Sequence, residues 1–383
     1  MTTGLTTWSF PTRIVFGVGA ALQTGSEAKR LGATRALIVT DQGVRKAGLC
    51  SAVERSLQQA GIEVAFFDGV LGNPVESNVH AGVKAFREAN ADIVVAVGGG
   101  SPLDVGKLVC LGVHHDRPLV DYDDATGGDQ YITANVPPML ALPTTAGTGS
   151  EVGRSGVVTL DTNHRKTVIF SPHLLAKAAL LDPELTRSMP AFVTAATGYD
   201  ALTHCLEAYV AKGDHPMADG IALEGLRLVA QHLERATSHG ADLTARGGMM
   251  KAAMMGAVAF QKGLGACHSL AHPLSSECGL HHGLANALAL PAVVEFNASA
   301  AAERLATVSS ILGGDPTAQG CAVVLRALRA KIGLPNGLKA AGVAHDKLDS
   351  LADLALQDAC HTLNPRLCTR DDLRRLYEAA FVG

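Results

Sequence analysis

At 383 residues, 47% apolar and 18% charged, the chain has the composition of a soluble globular protein and is long for a single hydrophobic core. A formal net charge of −4, with lysines and arginines scattered, offers no electrostatic basis for binding nucleic acid or an anionic membrane surface. No apolar run approaches the ~20 residues that cross a bilayer, so neither partner is expected.

Taken in chain order, Met1 to Phe10 is polar and lacks a basic stretch followed by an apolar one, so no secretory signal is expected. Arg35 to Thr40 reads as a buried strand followed by a helix to about Ala60. Glu63 to Phe67 is the next strand, with a helix from Glu76 to Ala89. Asp92 to Val97 is a third strand feeding a helix at Ser101, and Pro138 to Leu142 is a fourth. Nearly continuous Val/Ile/Leu strands alternating with helices predict a parallel sheet covered on both faces. After Asp182 the strand signal stops. Ala191 to Val210, Ala218 to Thr237, Leu243 to Phe260, Ala300 to Leu312 and Asp371 to Phe381 read as helices. Pro183 and Pro190 punctuate the change, which predicts an α/β domain over 1–186 and an all-helical domain over 187–383. The eight cysteines contain no CxxC pair and sit singly in apolar segments, as reduced thiols of a cytoplasmic protein do.

Two glycine-rich stretches stand at the ends of predicted strands. Gly98-Gly99-Gly100-Ser101-Pro102 follows the third, with Ser101 and Pro102 placed to cap and start a helix. Glycines there let backbone amides approach an anion, and a helix N-terminus adds positive potential. Thr144 to Glu151 (TTAGTGSE) follows the fourth strand and offers small hydroxyls and glycines. Together they fit a dinucleotide diphosphate across the point where strand order reverses. Asp41, ending the first strand, either accepts the adenosine ribose hydroxyls, which favours NAD over NADP, or caps a solvated helix. Gly17-Val-Gly19-Ala-Ala-Leu22 imitates a dinucleotide fingerprint, but Leu22 occupies the position that needs Gly or Ala, so it reads as a turn. No GxxxxGK[ST] motif occurs.

The second half carries metal-ligand chemistry. Asp200 and His204 are four apart in a helical stretch and so share a face. His268, His272, His281 and His282 fall within fifteen mostly apolar residues. Buried imidazoles need partners, and one Asp with three His suits Fe²⁺ or Zn²⁺ with a position open for a substrate oxygen. Such a metal polarises an alcohol or carbonyl oxygen while a nicotinamide exchanges hydride, and His272 is the candidate for relaying the proton.

These stretches carry a family resemblance: Gly98–Lys107 (GGGSPLDVGK), Thr144–Glu151, Thr197–Glu207 (TGYDALTHCLE), Gly263–Pro273 (GLGACHSLAHP) and His282–Pro291 (HGLANALALP). In this order the chain resembles the iron-containing (group III) alcohol dehydrogenases. The resemblance implies a parallel-sheet dinucleotide-binding domain followed by an all-helical metal-binding domain, the dehydroquinate synthase-like fold, in a homodimer or higher homo-oligomer. Carried over by position, it implies Fe²⁺ (or Zn²⁺) held by Asp200, His204, His268 and His282, with His272 beside it. It implies NAD contacts from Asp41, Asn73, Gly98, Gly99, Gly100, Ser101, Thr144, Thr145 and Lys166. The wording EVGR, FQKGLG, GLHHG and CHTLNP is similar to bacterial 4-hydroxybutyrate dehydrogenases. The expected substrate is therefore a small primary alcohol and its aldehyde, bearing a carboxylate, as in 4-hydroxybutyrate and succinate semialdehyde. Arg154 or Lys262 would pair with that tail, and Cys360 falls near the pocket by position. Simple alcohols, diols or lactaldehyde are the alternative substrates, and a dehydroquinate synthase-type lyase the alternative reaction.

Overall fold

The computed structural model describes residues 10, 12–162 and 165–383. The polar segment over Met1–Ser9 lies outside the described residues. The chain divides into two compact units, one of Phe10–Thr145 and Gly149–Ser188, the other holding Ala146–Thr148 and Met189–Gly383.

The first unit is built on a six-stranded sheet in which every pairing is parallel. Its strands are β1 (Arg13–Phe16), β2 (Arg35–Val39), β3 (Glu63–Phe67), β4 (Ile93–Gly98), β5 (Met139–Pro143) and, after a separate antiparallel hairpin of β6 (Ser155–Thr159) and β7 (Lys166–Phe170), β8 (Ala178–Leu181). The order is β1-β8-β5-β4-β2-β3. Alternate side chains enter opposite cores: Leu37, Val94, Ala96 and Ala141 join one cluster, and Ile38, Val95, Val97, Leu140 and Leu142 the other. Burial of both faces is why these strands read as unbroken apolar runs. The helices of this unit are α1 (Thr24–Arg30), α2 (Gln42–Lys46), α3 (Ser51–Gln59), α4 (Glu76–Glu88) and α5 (Gly100–His114). The single helix expected up to Ala60 is two, α2 and α3, because the intervening turn places Gly48 at φ 73°, a conformation that ends a right-handed helix. Gly17–Gly19 is a turn into a short 3₁₀ segment, Ala20–Gln23.

The second unit holds α6 (Ala191–Val210), α7 (Pro216–Ser238), α8 (Leu243–Ala259), α9 (Ala266–Cys278), α10 (His282–Asn297), α11 (Ala302–Ile311), α12 (Ala318–Lys331), α13 (Gly337–Ala340), α14 (Leu348–Gln357) and α15 (Arg370–Val382). No strand occurs among its described residues. From Thr194 to Ala208 every residue of α6 is buried, so α6 is surrounded by other helices rather than lying on the surface. Close approach to α6 is bought by small residues: a Cβ on Gly283, at the start of α10, would lie 2.0 Å from the Ala196 carbonyl oxygen. Among the described residues no helix is long and apolar enough to cross a membrane.

Candidate functional site

Three helices of the second unit each contribute two polar side chains one turn apart: Asp200 and His204 from α6, His268 and His272 from α9, His282 and Asn286 from α10. The four-residue spacing puts each pair on one face. Asp200 Oδ1 lies 3.9 Å from His204 Nε2, 4.0 Å from His268 Nε2 and 3.6 Å from His282 Nε2. The His204 and His268 rings stack with centroids 4.7 Å apart. Asp200, His204 and His268 are buried at 2%, 5% and 1% exposure.

The donor set fits a divalent cation. Among the described residues the ligand atoms of Asp200, His204 and His268 all lie within 4.8 Å of one another, close to the roughly 3.4 Å that metal–ligand bonds of ~2.1 Å impose on tetrahedral ligands. His282 Nε2 reaches Asp200 Oδ1 but falls outside that mutual group, so it must move further to join it. Among the described residues the ion-pair partners of the buried Asp200 carboxylate are imidazoles alone, and a carboxylate so buried demands a compensating positive charge. Burial pushes His204 down to about 4, which keeps its ring neutral and able to donate a lone pair. His268 behaves oppositely. Burial alone would lower it, but the hydrogen bond and charge of Glu207 outweigh burial and leave it raised, a more basic ring.

Partners outside this donor set hold it in place. His268 Nδ1 lies 2.6 Å from Glu207 Oε2. Asn286 donates from Nδ2 to Asp200 Oδ1 at 2.7 Å. His272, whose ring stacks on His282 at 5.3 Å, has Nδ1 2.7 Å from Asp358 Oδ2. Asp358 also accepts the Ser269 hydroxyl at 2.6 Å and the Cys360 N–H at 2.8 Å. Burial would raise the Asp358 carboxyl, yet the His272 and Ser269 bonds and the His272 charge leave it well below the usual range. Cys360 is in this corner too, its thiol pushed well above its usual value by burial and then by Asp358. A neutral thiol there is not a nucleophile.

In the α/β unit the two glycine-rich stretches are neighbours. β4 pairs with β5, Gly98 opposite Pro143, and the Thr144 N–H continues the ladder to the Gly98 carbonyl at 2.9 Å. The strand order reverses between β2 and β4, so Asp41 and Gly98–Gly100 flank the switch while Thr144 and Thr145 sit one strand away. Gly98 has φ 156°, and a Cβ there would lie 2.4 Å from Pro102 Cγ. The helix start differs from the expected one. Gly99 is the N-cap and α5 begins at Gly100, so Ser101 and Pro102 lie inside the first turn. Ser101 donates instead to the Gly72 carbonyl at 2.7 Å, tying the neighbouring loop that carries the exposed Asn73. Asp41 caps α2 through the Val44 N–H at 2.9 Å. Lys166 is exposed on β7.

Comparison with known proteins agrees with this architecture. Residues 11–183 match the family model "Iron-containing alcohol dehydrogenase" and residues 194–381 the C-terminal model of the same family. The chain belongs to the iron-containing alcohol dehydrogenases. It is 43% identical over 379 residues to a 4-hydroxybutyrate dehydrogenase of Cupriavidus necator, covering 96% of this chain and 97% of that one. The crystal structure of a 1,3-propanediol oxidoreductase matches with TM-score 0.95 and 37% identity over 99% of this chain and 100% of that one. A sulfoacetaldehyde reductase from Bifidobacterium kashiwanohense, solved with NAD⁺, matches with TM-score 0.90 and 29% identity over 98% and 99%.

Within this iron-containing alcohol dehydrogenase the two cations expected to meet a substrate carboxylate differ in their surroundings. Lys262 has its ammonium committed to the Asp219 carboxylate and the Tyr209 carbonyl, and Arg304 shares Asp219. The Lys262 side chain is 1% exposed, so its pairing with Asp219 is a buried structural ion pair. Arg154 is half-buried with its guanidinium over the Phe170 ring, 5.4 Å from the centroid. Sequence reasoning assigned no role to Glu207, Asn286 or Asp358. Glu207 follows His204 by three residues on one helix face and Asn286 follows His282 by four, so spacing alone could have flagged both. Asp358 is 86 residues from its histidine, and only folding brings it there.

Proposed function

We propose that the protein oxidises a small primary alcohol carrying a terminal carboxylate, and reduces the matching aldehyde, with NAD as hydride acceptor; 4-hydroxybutyrate and succinate semialdehyde are the pair it fits best. The convergence of Asp200, His204, His268 and His282 supports the catalytic part. The 43% identity to a 4-hydroxybutyrate dehydrogenase over nearly the full chain supports the substrate.

Asp200, His204, His268 and His282 would hold Fe²⁺ or Zn²⁺, which would supply Lewis-acid chemistry there, with NAD as the hydride acceptor. The remaining work falls to side chains. Asn286 holds the Asp200 carboxylate in its donating orientation. Asp358 fixes His272 as its Nδ1–H tautomer, which leaves Nε2 to receive the hydroxyl proton and pass it to water. The amides of Gly99 and Gly100, at the N-terminus of α5, would hold the cofactor's diphosphate, and Asp41 would meet its ribose. Arg154 binds the substrate carboxylate, since Lys262 is already paired.

One observation favours a second reading, neutral alcohols or diols: the burial of Lys262 against Asp219 removes one of the two candidate anion handles. Steady-state kinetics with NADH on the metal-reconstituted enzyme separate the two. A charge-assisted hydrogen bond is worth about 1.5–3 kcal/mol, so Arg154→Ala should lower kcat/KM for succinate semialdehyde by roughly 10- to 100-fold and leave butyraldehyde unchanged. Equal losses on both aldehydes would remove Arg154 as the handle and favour the neutral substrates.

A further inference from the structure

Glu207 lies on α6, and its side chain is 2% exposed. Among the described residues its ion-pair partner is the His268 imidazole alone. Three donors converge on it: the Cys267 N–H at 2.7 Å, the His268 N–H at 3.3 Å and His268 Nδ1 at 2.6 Å. The first two belong to the opening turn of α9, where backbone amides have no partner within the helix. The α9 N-cap residue, Gly265, has no side chain to satisfy them. A Cβ on Gly265 would sit 2.7 Å from Glu207 Oε1, so the glycine is what lets a carboxylate from another helix take over the capping.

The third bond reaches the chemistry. A carboxylate accepts but does not donate, so the proton between Glu207 Oε2 and His268 Nδ1 belongs to the ring. Nε2 is then the ring's lone-pair atom, and it lies 4.0 Å from Asp200 Oδ1 and within 4.8 Å of the His204 ligand atom. We propose that Glu207 is a positioning residue of the metal centre: by capping α9 and accepting the Nδ1 proton it fixes the tautomer and direction of His268 and so sets the affinity for the ion. The inference rests on the metal-centre reading above.

The test is Zn²⁺ affinity of the apoprotein, measured by competition with a chelator and accompanied by NADH binding and the absorption spectrum of the Co²⁺ form. Loss of such a partner typically weakens metal binding by about 10- to 100-fold. Glu207→Gln should show a loss of that size and an altered Co²⁺ band, with NADH binding retained. A structural cap alone would lower the melting temperature without changing the band. Should Glu207→Gln fail to fold, Glu207→Ala assayed with formate replaces it, and recovery of Zn²⁺ binding as formate is added is the expected result. Wild-type affinity in Glu207→Gln, or no recovery with formate, overturns the inference. A wild-type apoprotein that takes up no Zn²⁺ sinks the metal centre itself and the inference with it.

Discussion

At the histidine cluster the groups that converge are side chains, and other side chains steady them: His268 by Glu207, Asp200 by Asn286, His272 by Asp358. At the glycine loops of the α/β unit the groups on offer are backbone amides at the ends of β4 and β5, and the side chains nearby serve the backbone. Ser101 ties a loop to the Gly72 carbonyl. Lys107, fully buried, donates to Ser150 Oγ at 2.7 Å and the Ser155 carbonyl at 2.8 Å, clamping the end of the second loop and the start of β6 to α5. A cation needs specific lone pairs, which only particular side chains supply. A diphosphate needs N–H groups, which any residue supplies once Cβ atoms are out of the way. The two sites should therefore fail in different ways.

Paired substitutions break the comparison most sharply. Asp200→Ala removes a proposed ligand and should cost roughly a thousandfold or more in kcat/KM, the several kcal/mol that Lewis-acid polarisation supplies. Metal content should fall with it and NADH binding should not. Gly98→Ala should do the reverse. With φ 156° and Pro102 2.4 Å from the added Cβ, the strain of about 1–3 kcal/mol should weaken NADH binding by roughly 10- to 100-fold while chelator-competition affinity for Zn²⁺ stays put. If either substitution abolished both binding events, the two sites would not be separable as argued.

A smaller effect sharpens the α/β side of the contrast. Burial raises the Glu151 carboxyl from 4.5 to about 7, with its own backbone and then the Lys107 charge pulling the other way. The folded protein therefore keeps a proton there that the unfolded chain has released. That contribution to stability is complete below pH 4.5 and is lost as pH rises through 7. Between pH 5 and pH 8 the wild type should lose more melting temperature than Glu151→Gln, by roughly 3 °C. Parallel losses would show that Glu151 does not titrate in this window.

How much of this was legible in sequence follows the same division. Strands β2 to β5 were readable as nearly continuous apolar runs, and α6 because its helical pattern continues for twenty residues. The Asp200/His204 pair was visible as a four-residue spacing. The glycines were visible as glycines, but their separate jobs were not. Gly98 relieves a clash with Pro102, whereas Gly147, in the second loop, leaves room for Thr197, whose Cβ would be 2.8 Å from an added one. Composition cannot distinguish a glycine that faces a ligand from one that admits a helix. Lys262 illustrates the converse error. A lysine in a motif suggested a substrate handle, and only the fold reveals that Asp219, 43 residues away, had already claimed it.

Metal uptake by the wild-type apoprotein, followed by X-ray absorption at the zinc edge, tests the central claim most directly. One Zn²⁺ per chain, with three imidazoles and one carboxylate at about 2.0–2.2 Å, is the predicted result. Zinc surrounded by fewer than two imidazoles, or bound without stoichiometry, would contradict it.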